Sequence, residues 1–347
     1  MARPRPSRPA LAAALLATLG LVALVAAPAF AAIRGSYPVQ SAGDRGTDVF
    51  ALQELVRYHH DLASGTGQAG SRGVTTGARN APDVPVNGIF GASTTIAVRA
   101  FQSNRGLSPT GIADDATWAA IVVAIGPGST GGPVRALQRE LREKRGATNV
   151  PIDGVYGATT TSAVKAFQAH MGLAQTGRTD AATWKALIWH YELPTFSASA
   201  LCDYDPPANA NWGTAELIST LEAAGKVMVQ SGYGRIPVGD LGYEHGGDHP
   251  EHRTHEVGLD ADIRMMRKAN DQCSTPSNWR LAAYDRDATR QLVLAIRAAT
   301  PGHVKEILFN DPQLIAEGLT VFRADHDDHL HVRLCEAAHA LPLYTCP

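Results

Sequence analysis

"VNGIFGASTTIAVRAFQSNRGLSPTGIADDATWAAIV", residues 86–122, returns later in the chain as "IDGVYGATTTSAVKAFQAHMGLAQTGRTDAATWKALI", residues 152–188. The two align without a gap at an offset of 66, with about half of the positions identical. Upstream, "VFALQELV" from Val49 matches "VRALQREL" from Val134 at an offset of 85. The difference of 19 residues is an insertion in the first copy. It falls in "LASGTGQAGSRGVTTGARNAPDV", whose Gly, Ser and Thr content reads as a surface loop. One supersecondary unit is therefore used twice.

Each copy predicts three short helices. Val49, Leu52, Leu55 and Val56 recur at helical spacing in the first. A turn follows at Asn87-Gly88 or Asp153-Gly154. Ser93 or Thr94 is the expected cap of the second helix, which should bury Ile96, Val98 and Phe101. Thr110-Gly111 closes a loop before the third, which carries Trp118. A helical unit of roughly 60 residues needs large side chains to make a core, so Phe101, Phe167, Trp118 and Trp184 are assigned to packing.

Outward from the repeat, the chain of 347 residues exceeds one domain at ~100–200 residues each. Its start reads as a signal peptide: Arg3, Arg5 and Arg8, then "ALAAALLATLGLVALVA", then Ala29-Phe30-Ala31 as a small-x-small cleavage site. An uncleaved anchor stays open, because the apolar run is slightly long. No later segment reaches the ~18 apolar residues of a spanning helix, so no stable membrane insertion is expected after cleavage. Cleavage removes three arginines and no acid, which leaves the mature chain more acidic than the full-length net charge of −2. Nucleic acid is thereby disfavoured as a partner.

Cys202, Cys273, Cys335 and Cys346 all lie after residue 200, in an even number and behind an export signal, and this favours two disulfides. Three pairings are open. The closeness of Cys335 and Cys346 favours a C-terminal staple, which leaves Cys202 with Cys273. None is spaced C-x-x-C, which argues against a cysteine zinc site.

"HYELPTFSASALCDYDPPANANWG", 190–213, reads as a linker into a new domain. "TAELISTLEAAGKVMVQS" follows as an amphipathic helix with Leu217, Leu221, Ala224 and Met228 on one face. "DATRQLVLAIRAAT" is a second helix, and "VKEILFND" and "HLHVRL" read as strands. The expected fold class is multidomain: two small all-α three-helix modules, then an α+β domain with a small antiparallel sheet. The expected boundaries are 1–31 for the signal peptide, 32–125 and 128–190 for the modules, 191–212 for the linker and 213–347 for the last domain.

Histidines gather in two places there, "EHGGDHPEHRTHEVGLDADIRM" and "HDDHLHVR", each mixed with carboxylates. Strand alternation places His329, His331 and Arg333 on one face, with Leu330, Val332 and Leu334 opposite. In "GLDADIRM", Asp260, Asp262 and Arg264 likewise oppose Leu259, Ala261 and Ile263. Same-face neighbours lie ~7 Å apart, too far for both histidines of H-x-H to reach one ion at ~2.0–2.1 Å without leaning together. An easier division gives one to the metal and the other to water. Catalytic zinc usually takes three protein ligands, and His255, Asp262 and His331 form the best trio. Zn2+ there acidifies water and polarises a carbonyl. His329 is then the proton carrier, with His252 and His326 nearby to orient water or substrate. Asp260, Asp327 and Asp328 are available to hold the imidazoles.

These motifs carry two resemblances. "DG.[FY]G..T..AV..FQ...GL..TG..D..TW" resembles the peptidoglycan-binding module often fused to bacterial cell-wall hydrolases. "IPVGDLGYEHGGDH", "HRTHEVGLDADI" and "HDDHLHVR" look like the segments of the penicillin-insensitive murein endopeptidases, zinc peptidases related to D-Ala-D-Ala carboxypeptidases. The second resemblance implies His255, Asp262 and His331 as zinc ligands and His329 at the catalytic position, flanked by His252 and His326. Together they imply an exported enzyme of the periplasm or extracellular wall that hydrolyses peptidoglycan cross-links, with the polymer as both substrate and anchor. A D,D-carboxypeptidase shares the chemistry, and a non-catalytic wall-binding protein is the rival from another class. The lack of a suitably placed S-x-x-K disfavours a serine acyl-enzyme.

Overall fold

The computed structural model describes residues 37–64, 84–196, 200–205, 210–249, 252 and 254–347. The expected signal segment and most of the Gly-rich insertion lie outside them. No helix among the described residues is long and apolar enough to cross a membrane.

The first repeat forms α1 (Thr47–Ser64), α2 (Ala92–Asn104) and α3 (Asp115–Ile121). The second forms α4 (Gly132–Arg145), α5 (Ala158–His170) and α6 (Ala181–Trp189). Val49, Leu52, Leu55, Val56, Trp118 and Trp184 are buried as their spacing demanded. Two expectations for α2 fail. Its N-cap is Gly91, with no side-chain cap, and Thr94 is instead buried, accepting from Gln53 Nε2 at 3.0 Å. Ile96 is 51% exposed, and Ala97 takes its place beside Val98 and Phe101.

Polar side chains hold each module's turns. Gln53 Oε1 accepts from the backbone N–H groups of Asn87 and Gly88, and Gln138 does the same for Gly154. Gln102 and Gln168 fix the later Thr-Gly turns. Asp114 and Asp180 cap α3 and α6, accepting from Thr117 and Thr183 N–H. The modules are not separate beads. The equivalent helices α1 and α4 pack on each other, and residues of both repeats form one apolar core from Tyr37 to Ile188. At its edge the fully buried Lys144 reaches Asp48 at 2.5 Å and the carbonyls of Leu187 and Ile188 at 3.0 and 2.9 Å, with Glu140 3.4 Å away.

The C-terminal part holds β1 (Leu201–Asp203), α7 (Ala215–Gln230), β2 (Ile236–Val238), β3 (Asp260–Arg264), α8 (Arg286–Ala299), β4 (Val304–Leu308), α9 (Pro312–Ala316) and β5 (His329–Leu334). The sheet order is β1-β2-β3-β5-β4. β1 runs parallel to β2 and the other pairs are antiparallel, so the sheet is mixed rather than wholly antiparallel. β1 lies inside the stretch expected to be linker, and three residues are too few to show alternation. Leu259, Ala261, Ile263, Leu330, Val332 and Leu334 join Leu217, Leu221, Met228, Leu292 and Ile296 of α7 and α8 in one core. The apolar stripes of these helices cover one face of the sheet, and the polar residues of β3 and β5 remain on the other.

Disulfides join Cys202 to Cys273 and Cys335 to Cys346. The second ties the end of β5 to a short 3-10 turn at Pro342–Tyr344. The first module also touches the C-terminal part through His303. Its Nδ1 lies 2.9 Å from Asp44 Oδ1 and 3.0 Å from the Cys335 carbonyl, and its Nε2 lies 3.1 Å from the Ala42 carbonyl. Glu216 of α7 stands 3.8 Å from the same ring. Burial works against charge on His303, but the hydrogen bond to Asp44 and the carboxylates of Asp44 and Glu216 outweigh it, raising the ring to about 10.

Candidate metal centre

β3 and β5 pair so that Asp262 faces His331 and Asp260 faces Arg333. This register sets two carboxylates beside two cationic or coordinating side chains on one face. His255 arrives from the preceding loop in a left-handed backbone conformation, φ 75°. For a residue with a Cβ this conformation costs of order 1–3 kcal/mol and persists only where its surroundings hold it. Here the His255 N–H donates to Asp260 Oδ2 at 3.1 Å, and its ring Nδ1 lies 2.7 Å from the Leu241 carbonyl. Gly242 permits the approach, since a Cβ there would meet the His255 carbonyl at 2.8 Å.

Three atoms converge. His255 Nε2 is 3.3 Å from His331 Nδ1, His331 Nδ1 is 3.0 Å from Asp262 Oδ1, and His255 Nε2 is 3.6 Å from Asp262 Oδ1. Two ligands held ~2.0–2.1 Å from a tetrahedral ion lie about 3.3 Å apart. The triangle therefore has the size of one face of such a coordination sphere. All three residues are buried.

The far side of the His255 ring fixes its tautomer, and at His331 Nε2 the Asp260 carboxylate is nearer than Arg333 Nη2, which stands 3.2 Å away. His255 Nδ1 can only donate to a carbonyl. His331 Nε2 lies 2.8 Å from Asp260 Oδ1, a carboxylate that also accepts from Arg333 Nε at 2.8 Å, while Tyr344 Oη donates to Asp260 Oδ2 at 2.7 Å. With those protons placed outward, three lone pairs point at one another in a buried space. Such a set repels itself unless a cation or a shared proton lies within it. Burial opposes charge on His331, yet its hydrogen bonds to Asp260 and Asp262 prevail and raise the ring to about 9. Burial alone would raise Asp262, but the bonds from His255 and His331 hold it well below the usual carboxylate range. The residues present fit a divalent metal.

The other predicted residues surround this triangle. His329 Nε2 lies 3.9 Å from Asp262 Oδ1, and its Nδ1 is 2.9 Å from Asp328 Oδ1. His252 Nδ1 lies 3.6 Å from Asp262 Oδ2, and its Nε2 is 3.0 Å from Asp240 Oδ2, whose hydrogen bond raises the His252 pKa. His252, His255 and Asp262 each bring a ligand atom within 4.8 Å of the others, as do Asp240, His249 and His252. The ring of His326 lies 4.8 Å from that of His329 and 5.7 Å from that of His331, and burial lowers its pKa. Asp327 departs from the expected arrangement. It holds no imidazole but accepts from Trp279 Nε1 and Asn310 Nδ2 and pairs with Arg280, pinning the loop before β5.

Residues 204–310 match the family model described as penicillin-insensitive murein endopeptidase. Over those residues the C-terminal domain is similar to that family. Two further stretches, 77–121 and 130–187, match the model described as putative peptidoglycan binding domain. No curated protein matches the chain. The chain is thus a wall-hydrolysing peptidase with peptidoglycan-binding modules. The match to the murein endopeptidase model includes His252, His255 and Asp262 and ends before β5, so it is the strand register that brings His329 and His331 to them.

Asp240, the Leu241 carbonyl and Tyr344 complete the candidate site, and the sequence reading did not name them. Asp240 has a readable signal, a carboxylate in "VGDLGYEHGG" just ahead of the histidine-rich loop. Leu241 has none, since it contributes only its backbone.

Proposed function

We propose that the protein is an exported zinc-dependent endopeptidase that cuts the peptide cross-links of peptidoglycan and is held at the wall by its two modules. The observation that carries this reading is the buried convergence of His255 Nε2, Asp262 Oδ1 and His331 Nδ1, with both rings tied from behind. In this proposal those three residues hold the ion. Zinc bound there supplies Lewis acidity, polarising the scissile carbonyl and making water a better nucleophile near neutral pH.

The chain's own groups supply the rest. Asp328 orients His329, leaving Nε2 turned to the cleft beside Asp262. In this reading Nε2 takes a proton from the attacking water and hands it to the leaving amine. His252, kept more basic by Asp240, favours negative charge developing on the substrate oxygen. His326 borders His329 and helps to exclude water from its exposed side. Two disulfides and the matches to wall-binding models support export to the periplasm or extracellular wall.

Digestion of purified peptidoglycan with mass analysis of the products tests the reaction. Conversion of cross-linked dimers to monomers is expected, and release of terminal D-alanine alone would instead establish a carboxypeptidase. Asp262→Ala and His331→Ala should lose zinc and activity together. His329→Ala should keep zinc while turnover falls by about 10²–10⁴. If His329→Ala releases the metal as readily as His331→Ala, the division of roles fails.

A further inference from the structure

A second histidine cluster lies outside the cleft. His170 ends α5, His190 follows α6, and His245 belongs to the loop between β2 and β3. Their ring centroids are 5.7 Å (His170–His190), 5.2 Å (His170–His245) and 5.3 Å (His190–His245) apart. Three imidazoles on one tetrahedral ion, with Zn–N bonds of ~2.0–2.1 Å, place their ring centres about 5.2 Å apart. Each ring offers a nitrogen within 4.8 Å of the others.

Glu244 gathers them. Its Oε1 is 2.9 Å from His170 Nε2 and 3.7 Å from His190 Nε2, and its Oε2 is 3.9 Å from His245 Nε2. His190 is buried. Burial first, then the charges of Lys144 and Arg145, lowers its pKa to about 2, so it stays neutral, the form that binds a metal. His170 lies at the surface and leaves the cluster open to solvent. Arg145 Nη1 now pairs with Glu244 at 2.6 Å and stands 3.2 Å from His190 Nε2. Its side chain is partly exposed and has solvent to turn into as an ion enters.

We propose that His170, His190 and His245, with Glu244, form a second site for a divalent transition metal of the zinc class, and that the bound ion clips the second module to the peptidase domain. Imidazole ligands select zinc, copper and nickel over magnesium or calcium. The clip grips the loop that orients the cleft. Asp240 holds His252 and the Leu241 carbonyl holds His255, a few residues before Glu244 and His245. Metal at the seam thus steadies the ligands of the first ion.

Zinc stoichiometry of the full mature chain, measured by native mass spectrometry, tests this. The wild type should bind two ions, Asp262→Asn one, and Asp262→Asn combined with His170→Asn none. Cobalt added to Asp262→Asn should give the visible absorption of a four-coordinate site, and His170→Asn should abolish it. Arg145→Ala leaves every ligand in place and removes the competing cation, so the second ion should bind about tenfold more tightly. Melting curves in chelator, matched to wild type, check that each variant is folded. An Asp262→Asn protein that binds no ion would overturn the proposal, as would two ions retained in His170→Asn or weaker binding in Arg145→Ala.

Discussion

Asp260 is not one of the three converging atoms, yet much of the site depends on it. One carboxylate accepts from His331, Arg333, Tyr344 and the strained His255 backbone. It holds the Nε2 proton of His331, so Nδ1 is the nitrogen left to ligate once a metal displaces the proton shared with Asp262. Asp260→Asn would present an amide in its place and favour the other tautomer, with the proton on Nδ1. Metal affinity should fall by about 10–100-fold with the fold retained. Competition against a chelator of known affinity measures this, and unchanged affinity would mean that His331 does not ligate through Nδ1. Residues of this kind were only partly legible in the sequence. Asp260 shares a strand face with Asp262, so alternation exposed it. Tyr344 stands 84 residues away from Asp260 and carries no pattern linking the two.

Among the elements, periodicity was informative where an element was long. The stripes of α1 and α7 and the alternation of β3 and β5 were readable because each offers several apolar positions in register. Short elements escaped. β1 has three residues and hid in a Pro-rich stretch, and the α2 cap was misread because Thr94 serves a buried glutamine instead. The Cys335–Cys346 bond acts at this scale, since it brings the turn bearing Tyr344 against β5. It closes a short segment, with 11 residues of separation. A Cys335→Ser, Cys346→Ser double variant should lose about 3 kcal/mol on the chain-entropy account. Its metal affinity should also fall, because Tyr344 is no longer held at Asp260. Urea titration with and without zinc reads both effects. Lys144 makes a parallel case between helices. Lys144→Met strands the buried carboxylates of Asp48 and Glu140 and should cost about 3–5 kcal/mol in the same titration.

For the whole molecule, the seams between modules and peptidase are built from buried ionisable groups. Burial raises Glu336 and Glu192 to about 8, and the carboxylates around His303 raise it to about 10. Each folded value lies above its unfolded counterpart, so each group's contribution is complete at acid pH and is lost as pH rises through the folded value. The melting temperature of metal-depleted protein should therefore fall steadily from about pH 6 to pH 10. A flat profile across that range would show that these groups titrate normally. The shared core of α1 and α4 has a mechanical consequence. Tandem modules on a loose tether sample many separations, and their gain in retention falls off gradually with linker length. Here the two repeats share one core, so on the proposed function both grip the polymer only where it offers attachment points at the spacing that core sets. The first module also meets the peptidase domain at His303, which on the same reading ties the place of grip to the place of cut. On that reading the molecule gauges the lattice it trims, cutting at a reach set by where it holds.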